Sequence, residues 1–180
     1  MSCRSGTRVG PIGFLLASLT FCGPALAAEV QVGFSPEGSA EALVIDVVES
    51  AHQQIRMMGY SFTSPKVVKA LVAAKHRGVD VQIVLDAHGN ENKASRAAMN
   101  FIVNAGIPLR TNDAFKIQHD KVIISDNLNV QTGSFNYSTA AARSNSENAV
   151  VMWGFPEVAS VYLQHWQSRW DQGRPYQSGY

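Results

Sequence analysis

Cysteine is almost absent from this sequence of 180 residues, and neither sign of charge dominates it. The two cysteines, Cys3 and Cys22, both lie within the first 28 residues. If that segment is removed, the remaining chain has no means of forming a disulfide or a thiolate metal site. Hydrophobic residues make up 46% of the chain and charged residues 16%, which is typical of a compact globular protein and excludes a disordered one.

Long apolar runs are also missing, since the one near the N-terminus is too short to span a bilayer comfortably. The first 28 residues have the three parts of a secretory leader, namely two arginines, an apolar run and small residues at a cleavage site: Arg4 and Arg8, Ile12–Phe21, and Ala25–Ala27. We therefore predict a cleaved signal peptide over residues 1–28, a single domain over residues 29–180, and a periplasmic or secreted protein. A retained membrane anchor is the alternative.

The balance of charge does not indicate a partner by itself. The chain has 15 Lys and Arg against 14 Asp and Glu, a formal net charge of +1. Loss of Arg4 and Arg8 with the leader leaves 13 basic residues against the same 14 acidic ones, a net charge of −1. A nucleic-acid partner would therefore be held by a local basic patch, not by the field of the whole protein.

Hydrophobic periodicity predicts alternating strands and helices after the leader. The predicted extended segments are Glu29–Phe34, Ile55–Phe62, Val79–Asp86, Ile107–Arg110, Lys121–Ser125, Val130–Thr132 and Asn148–Trp153. The predicted helices are residues 35–53 and 64–77, each opened by Ser-Pro, then Glu91–Ala105, and a last helix that starts at Pro156. The end of the chain, Gln172–Tyr180, is expected to be loose. This order predicts an α/β fold with a mixed central β-sheet flanked by helices on both faces.

The residues with reactive side chains are concentrated in one short stretch. It reads H-x-K-x4-D and then G-S-x-N, with these residues at His119, Lys121, Asp126, Gly133, Ser134 and Asn136. If residues 121–125 form a strand, His119 and Lys121 project from the same face, whereas a helix would point them about 200° apart. An imidazole beside a fixed cation, followed by a hydroxyl and an amide, is a set that can hold a phosphate and attack it.

This pattern resembles the HKD signature of the phospholipase D superfamily, and the match extends to a downstream acid, Glu147. A short chain with one motif and a leader is most similar to the single-motif bacterial endonucleases of that superfamily. The resemblance implies a phospholipase D-like α-β-α sandwich and chemistry without a metal or other cofactor.

Each motif residue then has an expected role. His119 is the expected nucleophile, which forms a phosphohistidine, and Lys121 neutralises charge on the phosphate oxygens. Ser134 and Asn136 are expected to donate to the same phosphate, and Gly133 to permit close approach of the backbone. The resemblance makes Glu147 the residue that orients His119, although the sequence alone equally allows Asp120 or Asp126. Asp126 is expected to brace the motif structurally, next to the site.

Less specific interpretations exist for the same residues. A lone histidine is more often a surface residue, and Gly, Ser and Asn are common in turns.

A metal site is the chemical competitor, with candidate ligands at Asp86, His88, His119, Asp126 and Glu147. A lysine on the same face as His119 would repel a metal ion, so metal-independent chemistry is favoured. The segment 86–90 is a weaker candidate for substrate contacts, and the remaining histidines (His52, His76 and His165) are expected to be surface or packing residues.

The count of motifs predicts the assembly. No other histidine is followed by a lysine two residues later. The superfamily mechanism uses two histidines, one that attacks and one that protonates the leaving oxygen. We therefore predict a two-fold homodimer with a shared site, acting as a metal-independent, non-specific endonuclease on DNA or RNA, with no stable membrane association after signal cleavage. The alternatives are a lipid phosphodiesterase of the same superfamily and a catalytically weak nucleic-acid-binding module.

Overall fold

The computed structural model describes residues 28–179, so the predicted signal peptide, except for Ala28, lies outside the described residues. Eight strands form one sheet in the order β1-β7-β6-β5-β2-β3-β4-β8. Their bounds are β1 Glu29–Ser35, β2 Gln54–Gly59, β3 Asp80–Asp86, β4 Leu109–Asn112, β5 Lys121–Ser125, β6 Asn129–Gly133, β7 Glu147–Trp153 and β8 Arg174–Pro175.

Helices connect these strands and cover the sheet. Their bounds are α1 Ser39–Glu49, α2 Pro65–His76, α3 Lys93–Asn104, α4 Thr139–Arg143 and α5 Pro156–Gln172, with a short 3₁₀ turn at His88–Asn90. No helix within residues 28–179 is long and apolar enough to cross a membrane.

The sheet is mixed and both of its faces are covered, as predicted. The pairs β2–β3 and β3–β4 are parallel, and every other neighbouring pair is antiparallel. One face carries the larger core, in which α1, α2 and α3 pack on residues such as Ile83 and Ile123. The other face packs on α5, where buried Trp166 donates its indole N–H to the Met57 carbonyl at 2.9 Å. Loss of that side chain would cost roughly 3–5 kcal/mol of stability.

The strand directions place several loops at one end of the sheet. The parallel strands β2 and β3 end there, while β5 and β7 begin there. In register, Gly59 at the end of β2 is opposite Lys121, and Gly133 at the end of β6 is opposite Ala149. Polar residues from distant parts of the sequence therefore meet at this end.

Some predicted boundaries are wrong at the first helix. Ser35-Pro36 does not begin α1, because Ser35 belongs to β1 and pairs with Glu147 of β7. The helix starts at Ser39, after Gly38 with a φ of 97°, and the Ser39 hydroxyl bonds the backbone of Phe34. It also ends at Glu49, not near residue 53.

Two further differences lie in the second half of the chain. The short helix α4 was not predicted. It has only five residues and starts after Ser138, whose hydroxyl accepts from the Ala141 amide. The tail is not loose throughout, because β8 pairs with β4 and the Tyr176 hydroxyl donates to Asn100 at 2.8 Å.

Candidate active site

An open cleft of about 620 Å³ lies at the end of the sheet where β5 and β7 begin. It is lined by His119, Lys121, Gly133, Ser134, Asn136, Glu147 and Asn148. The fold thus brings together all the predicted site residues except Asp126.

His119 is exposed at the mouth of this cleft. Its ring contacts Tyr60, with centroids 5.0 Å apart and planes inclined at 59°. Within residues 28–179 its imidazole makes no hydrogen bond, so both ring nitrogens are available to substrate or to a partner. A nucleophile needs a free nitrogen, and the structure provides one.

Lys121 lies behind the histidine, with a side chain that is largely buried at 6% exposure. Its ammonium donates to the His119 carbonyl at 2.8 Å, and it lies 5.6 Å from the centroid of the Tyr60 ring. Burial lowers the pKa of Lys121, while the negative charges of Glu147 and Asp120 oppose that shift. The ammonium is therefore held in one place, and the negative charges of Glu147 and Asp120 offset only part of the effect of burial. A fixed cation of this kind is suited to stabilising a phosphate.

Gly133 and Ser134 shape the opposite wall. Gly133 has a φ of 140°, and an added Cβ would lie 2.4 Å from the Asn148 carbonyl oxygen, so a larger residue does not fit. The Ser134 hydroxyl accepts from the Asn148 backbone N–H at 3.0 Å. Its own proton remains available for a ligand in the cleft.

Two polar groups of the cleft make few hydrogen bonds within the described residues. The Asn136 Oδ1 atom is buried and has no hydrogen-bond partner among the described residues. Glu147 is half-buried and accepts from the Asn145 side chain at 2.9 Å, not from His119. The proposed orientation of His119 by Glu147 of the same chain therefore has no hydrogen bond to support it and stays a prediction.

Asp126 lies at the other end of β5, away from the cleft. Its carboxylate accepts from the backbone N–H groups of His52, Gln53 and Gln54 at 2.8–2.9 Å. The expected structural role is consistent with these bonds, but the expected place beside the site is wrong. The motif aspartate braces the strand from its far end.

The remaining acidic candidates also have other partners. Asp120 lies 3.4 Å from His165 of α5, and one Asp86 oxygen accepts from the Gln118 amide at 2.7 Å. Histidine and carboxylate side chains do not gather in groups of three or more that could hold a metal ion, at least within residues 28–179.

The sequence reasoning missed two residues of this region, Tyr60 and Asn148. Tyr60 directly follows β2, and Asn148 is the second residue of β7. Both lie at the site end of the sheet, where the parallel strands β2 and β3 end. Side chains at the carboxyl ends of parallel strands often face a ligand. That rule could have singled out Tyr60, but only with the strand order known.

The fold and the residues of the cleft agree with one protein family. A family model described as "Cardiolipin synthase, PLD-like domain" matches residues 44–170, and the chain belongs to this PLD-like family. It is an enzyme of the phosphodiesterase type within the phospholipase D superfamily.

The chain is also similar to individual proteins of known name. The chain is similar to the crystal structure of Nuc, a phospholipase D family member from Salmonella typhimurium, with 62% identity and a TM-score of 0.83 over 84% of this chain and 99% of that one. It is 35% identical to a phospholipase D of Rickettsia bellii over 78% of this chain and 69% of that protein. It is 27% identical to the human mitochondrial cardiolipin hydrolase over 78% of this chain and 55% of that protein.

Proposed function

We propose that this protein is a metal-independent endonuclease with little sequence preference, secreted to the periplasm or beyond and without stable membrane association. One observation carries the proposal: an exposed imidazole, free of hydrogen bonds within the described chain, stands beside a buried ammonium in a polar cleft. A backbone phosphate is the group that this pair fits, and contacts to phosphate carry no base sequence.

The reaction has two steps. A nitrogen of His119 attacks phosphorus, and the bond from phosphorus to the leaving oxygen breaks as that oxygen takes a proton from a general acid. The resulting conjugate base then removes a proton from water, which attacks phosphorus and frees His119. Lys121, Ser134 and Asn136 hold the phosphate oxygens throughout, where negative charge is greatest.

The single motif of one chain leaves the general acid unassigned. His119 cannot attack and donate a proton at the same moment, and no second H-x-K exists in the chain. We infer that two copies share one site, so that the two His119 side chains take these two roles. A second copy would also bring another Glu147 carboxylate to an imidazole that has no carboxylate partner among the described residues of its own chain.

An uncovered apolar strip offers that second copy a surface to pack on. Val30, Val32 and Phe34 point to one face of edge strand β1 and are 53%, 52% and 54% exposed. The strip runs toward the cleft, since Phe34 is opposite Asn148 in the β1–β7 register. Exposed apolar groups in a row are unusual on a monomer. Val32→Asp should shift the mass in solution toward the monomer, while Val161→Asp, at an exposed position of α5, should leave it unchanged.

The lining of the cleft favours nucleic acid over lipid. None of its seven residues carries an apolar side chain that could hold an acyl chain. The names of the Rickettsia and human relatives make a lipid phosphodiesterase the second candidate. A module that binds nucleic acid without turnover is disfavoured because the reactive groups are all present in one cleft.

The test uses purified protein lacking residues 1–28, with plasmid DNA and with phosphatidylcholine vesicles, each in EDTA. We expect plasmid cleavage to persist and vesicles to stay intact. The His119→Asn variant, purified in parallel, identifies contaminating nuclease. Activity that is lost in EDTA and restored by Mg²⁺ or Zn²⁺ would refute the metal-independent mechanism, and cleavage of vesicles alone would favour the lipid candidate.

A further inference from the structure

Tyr60 is the aromatic residue that lies against both reactive side chains of the cleft. It directly follows β2, and its ring is in contact with His119 at 5.0 Å between centroids. The Lys121 ammonium lies 5.6 Å from the centroid of the same ring. The Tyr60 hydroxyl has no hydrogen bond within residues 28–179. The contacts of Tyr60 with His119 and Lys121 are therefore made by its ring and not by its hydroxyl.

The ring is supported from behind by the turn at residues 88–90. A Cβ added to Gly89 would lie 2.7 Å from Tyr60 Cε2, so only glycine allows the ring to sit where it does. The side-chain amide of Asn90 donates to the Tyr60 carbonyl and its oxygen accepts from the Phe62 N–H at 3.0 Å. Turn and ring are therefore held together as one unit.

A buried carboxylate ties this unit to the catalytic histidine. Asp86 is only 1% exposed. One of its oxygens accepts from the Gly89 N–H at 2.6 Å, and the other accepts from the N–H of Gln118, the residue before His119, at 2.7 Å. A single side chain thus links the support of the Tyr60 ring to the backbone next to His119.

We propose that Tyr60 is a positioning residue, whose ring holds the His119 imidazole and the Lys121 ammonium in the geometry that attack on phosphorus requires. The inference rests on the proposed function, because it takes His119 as the nucleophile. The ring edge and face restrict the imidazole to one orientation, and its negative face attracts the cation. A displacement of about 1 Å in such a group can cost on the order of a hundredfold in rate.

The test compares Tyr60→Phe, which keeps the ring, with Tyr60→Leu, which keeps bulk without a ring. Bis(p-nitrophenyl) phosphate is the substrate, because p-nitrophenolate leaves without a proton. The kcat and KM used here are the limiting rate and half-saturation of single turnovers with protein in excess, so that kcat reports the attack and not the later hydrolysis of the phosphohistidine. We expect Tyr60→Phe to stay within about twofold of the unmodified protein. Tyr60→Leu should lower kcat by roughly tenfold to a hundredfold with KM nearly unchanged.

A second readout does not depend on turnover. In NMR spectra, the ring protons of His119 should carry a ring-current shift in the unmodified protein and in Tyr60→Phe, and lose it in Tyr60→Leu. If the shift behaves as expected but no variant hydrolyses any phosphodiester, the proposed function fails while the contact stands. If the protein is active and Tyr60→Leu equals it in kcat, the positioning role fails alone.

A third variant changes the support and leaves Tyr60 itself in place. Gly89→Ala should push the ring and lower kcat, yet add no further loss when combined with Tyr60→Leu, because the two act through one contact. Additive losses would overturn the proposal. An equal loss in Tyr60→Phe and Tyr60→Leu would assign the effect to the hydroxyl, and a rise in KM alone would assign it to substrate binding; either result also overturns it.

Discussion

The two ends of strand β5 contrast in how their polar groups are used. At the far end, Asp126 accepts three backbone N–H groups. At the cleft end, the His119 imidazole makes no hydrogen bond within the described chain, and the buried Asn136 oxygen has no partner there. Both ends belong to one sequence motif, yet only one of them leaves its bonding capacity open.

This difference separates a structural residue from a reactive one. Buried polar groups in proteins are nearly always paired, so an unpaired group such as Asn136 Oδ1 requires a reason. This oxygen is an acceptor, so only a donor group of a ligand could supply its missing bond. Substitutions at the cleft end should therefore lower activity more than stability. Substitutions at the far end should lower stability more than activity.

The largest effect is expected at His119. His119→Asn removes the nucleophile from an exposed position, so turnover should fall by at least about four orders of magnitude while the melting temperature is unchanged. Plasmid cleavage and thermal unfolding measured on the same sample would show this. A loss of only about tenfold would place the nucleophile elsewhere.

With bis(p-nitrophenyl) phosphate, whose leaving group needs no proton from the general acid, Lys121 should determine the alkaline limb of activity. Its pKa is lowered by burial, and activity requires the cation, so the rate should fall as pH rises through a value below the ordinary 10.5 of lysine. Lys121→Arg should be roughly a hundredfold slower because its planar group fits poorly, but it should stay flat in alkaline solution because arginine remains charged. An alkaline limb that is the same in both proteins would belong to another group.

Glu147→Gln should cost less than loss of His119, on the order of tenfold to a hundredfold, because it disturbs the charge and orientation of the imidazole without removing it. Asp120→Asn, which loses a charge directed at His165, is the matched comparison. If Glu147→Gln is silent and Asp120→Asn is severely impaired, the orienting carboxylate is Asp120.

The smallest effect on activity is expected at Asp126. Asp126→Asn turns an amide toward backbone N–H groups, so the free energy of unfolding should drop by about 1–3 kcal/mol. The rate per folded molecule should stay within about twofold of the unmodified protein, as checked by denaturant unfolding and plasmid cleavage. A large loss of rate without loss of stability would place Asp126 in the chemistry.

Two identical Ser-Pro dipeptides show how far sequence patterns predict this fold. Ser64 caps α2 as expected, and its hydroxyl accepts from the Val67 N–H. Ser35 has the same local signal but lies in β1, because its pairing with Glu147 belongs to a long-range register that outweighs the local preference. Local rules succeed where no distant strand competes for the residue.

The site shows the same limit. His119 and Lys121 both line the cleft, as their spacing predicts, although His119 lies two residues before β5 and not within it. The contact of Tyr60 with His119 and the position of Glu147 depend on where loops from separate strands meet, which periodicity does not encode. Because β5 has five residues, Asp126 lies at the opposite end of the strand from His119. The spacing of the motif was enough to predict this separation.

The most direct test of the shared site is a mixed dimer of the unmodified chain and His119→Ala. Differently tagged subunits can be co-expressed, and the heterodimer isolated and assayed on plasmid DNA. If the two imidazoles take complementary roles at one phosphate, the heterodimer has one imidazole and one gap, and it should be nearly inactive. A heterodimer with about half the rate of the unmodified dimer would mean independent sites, and it would contradict the account.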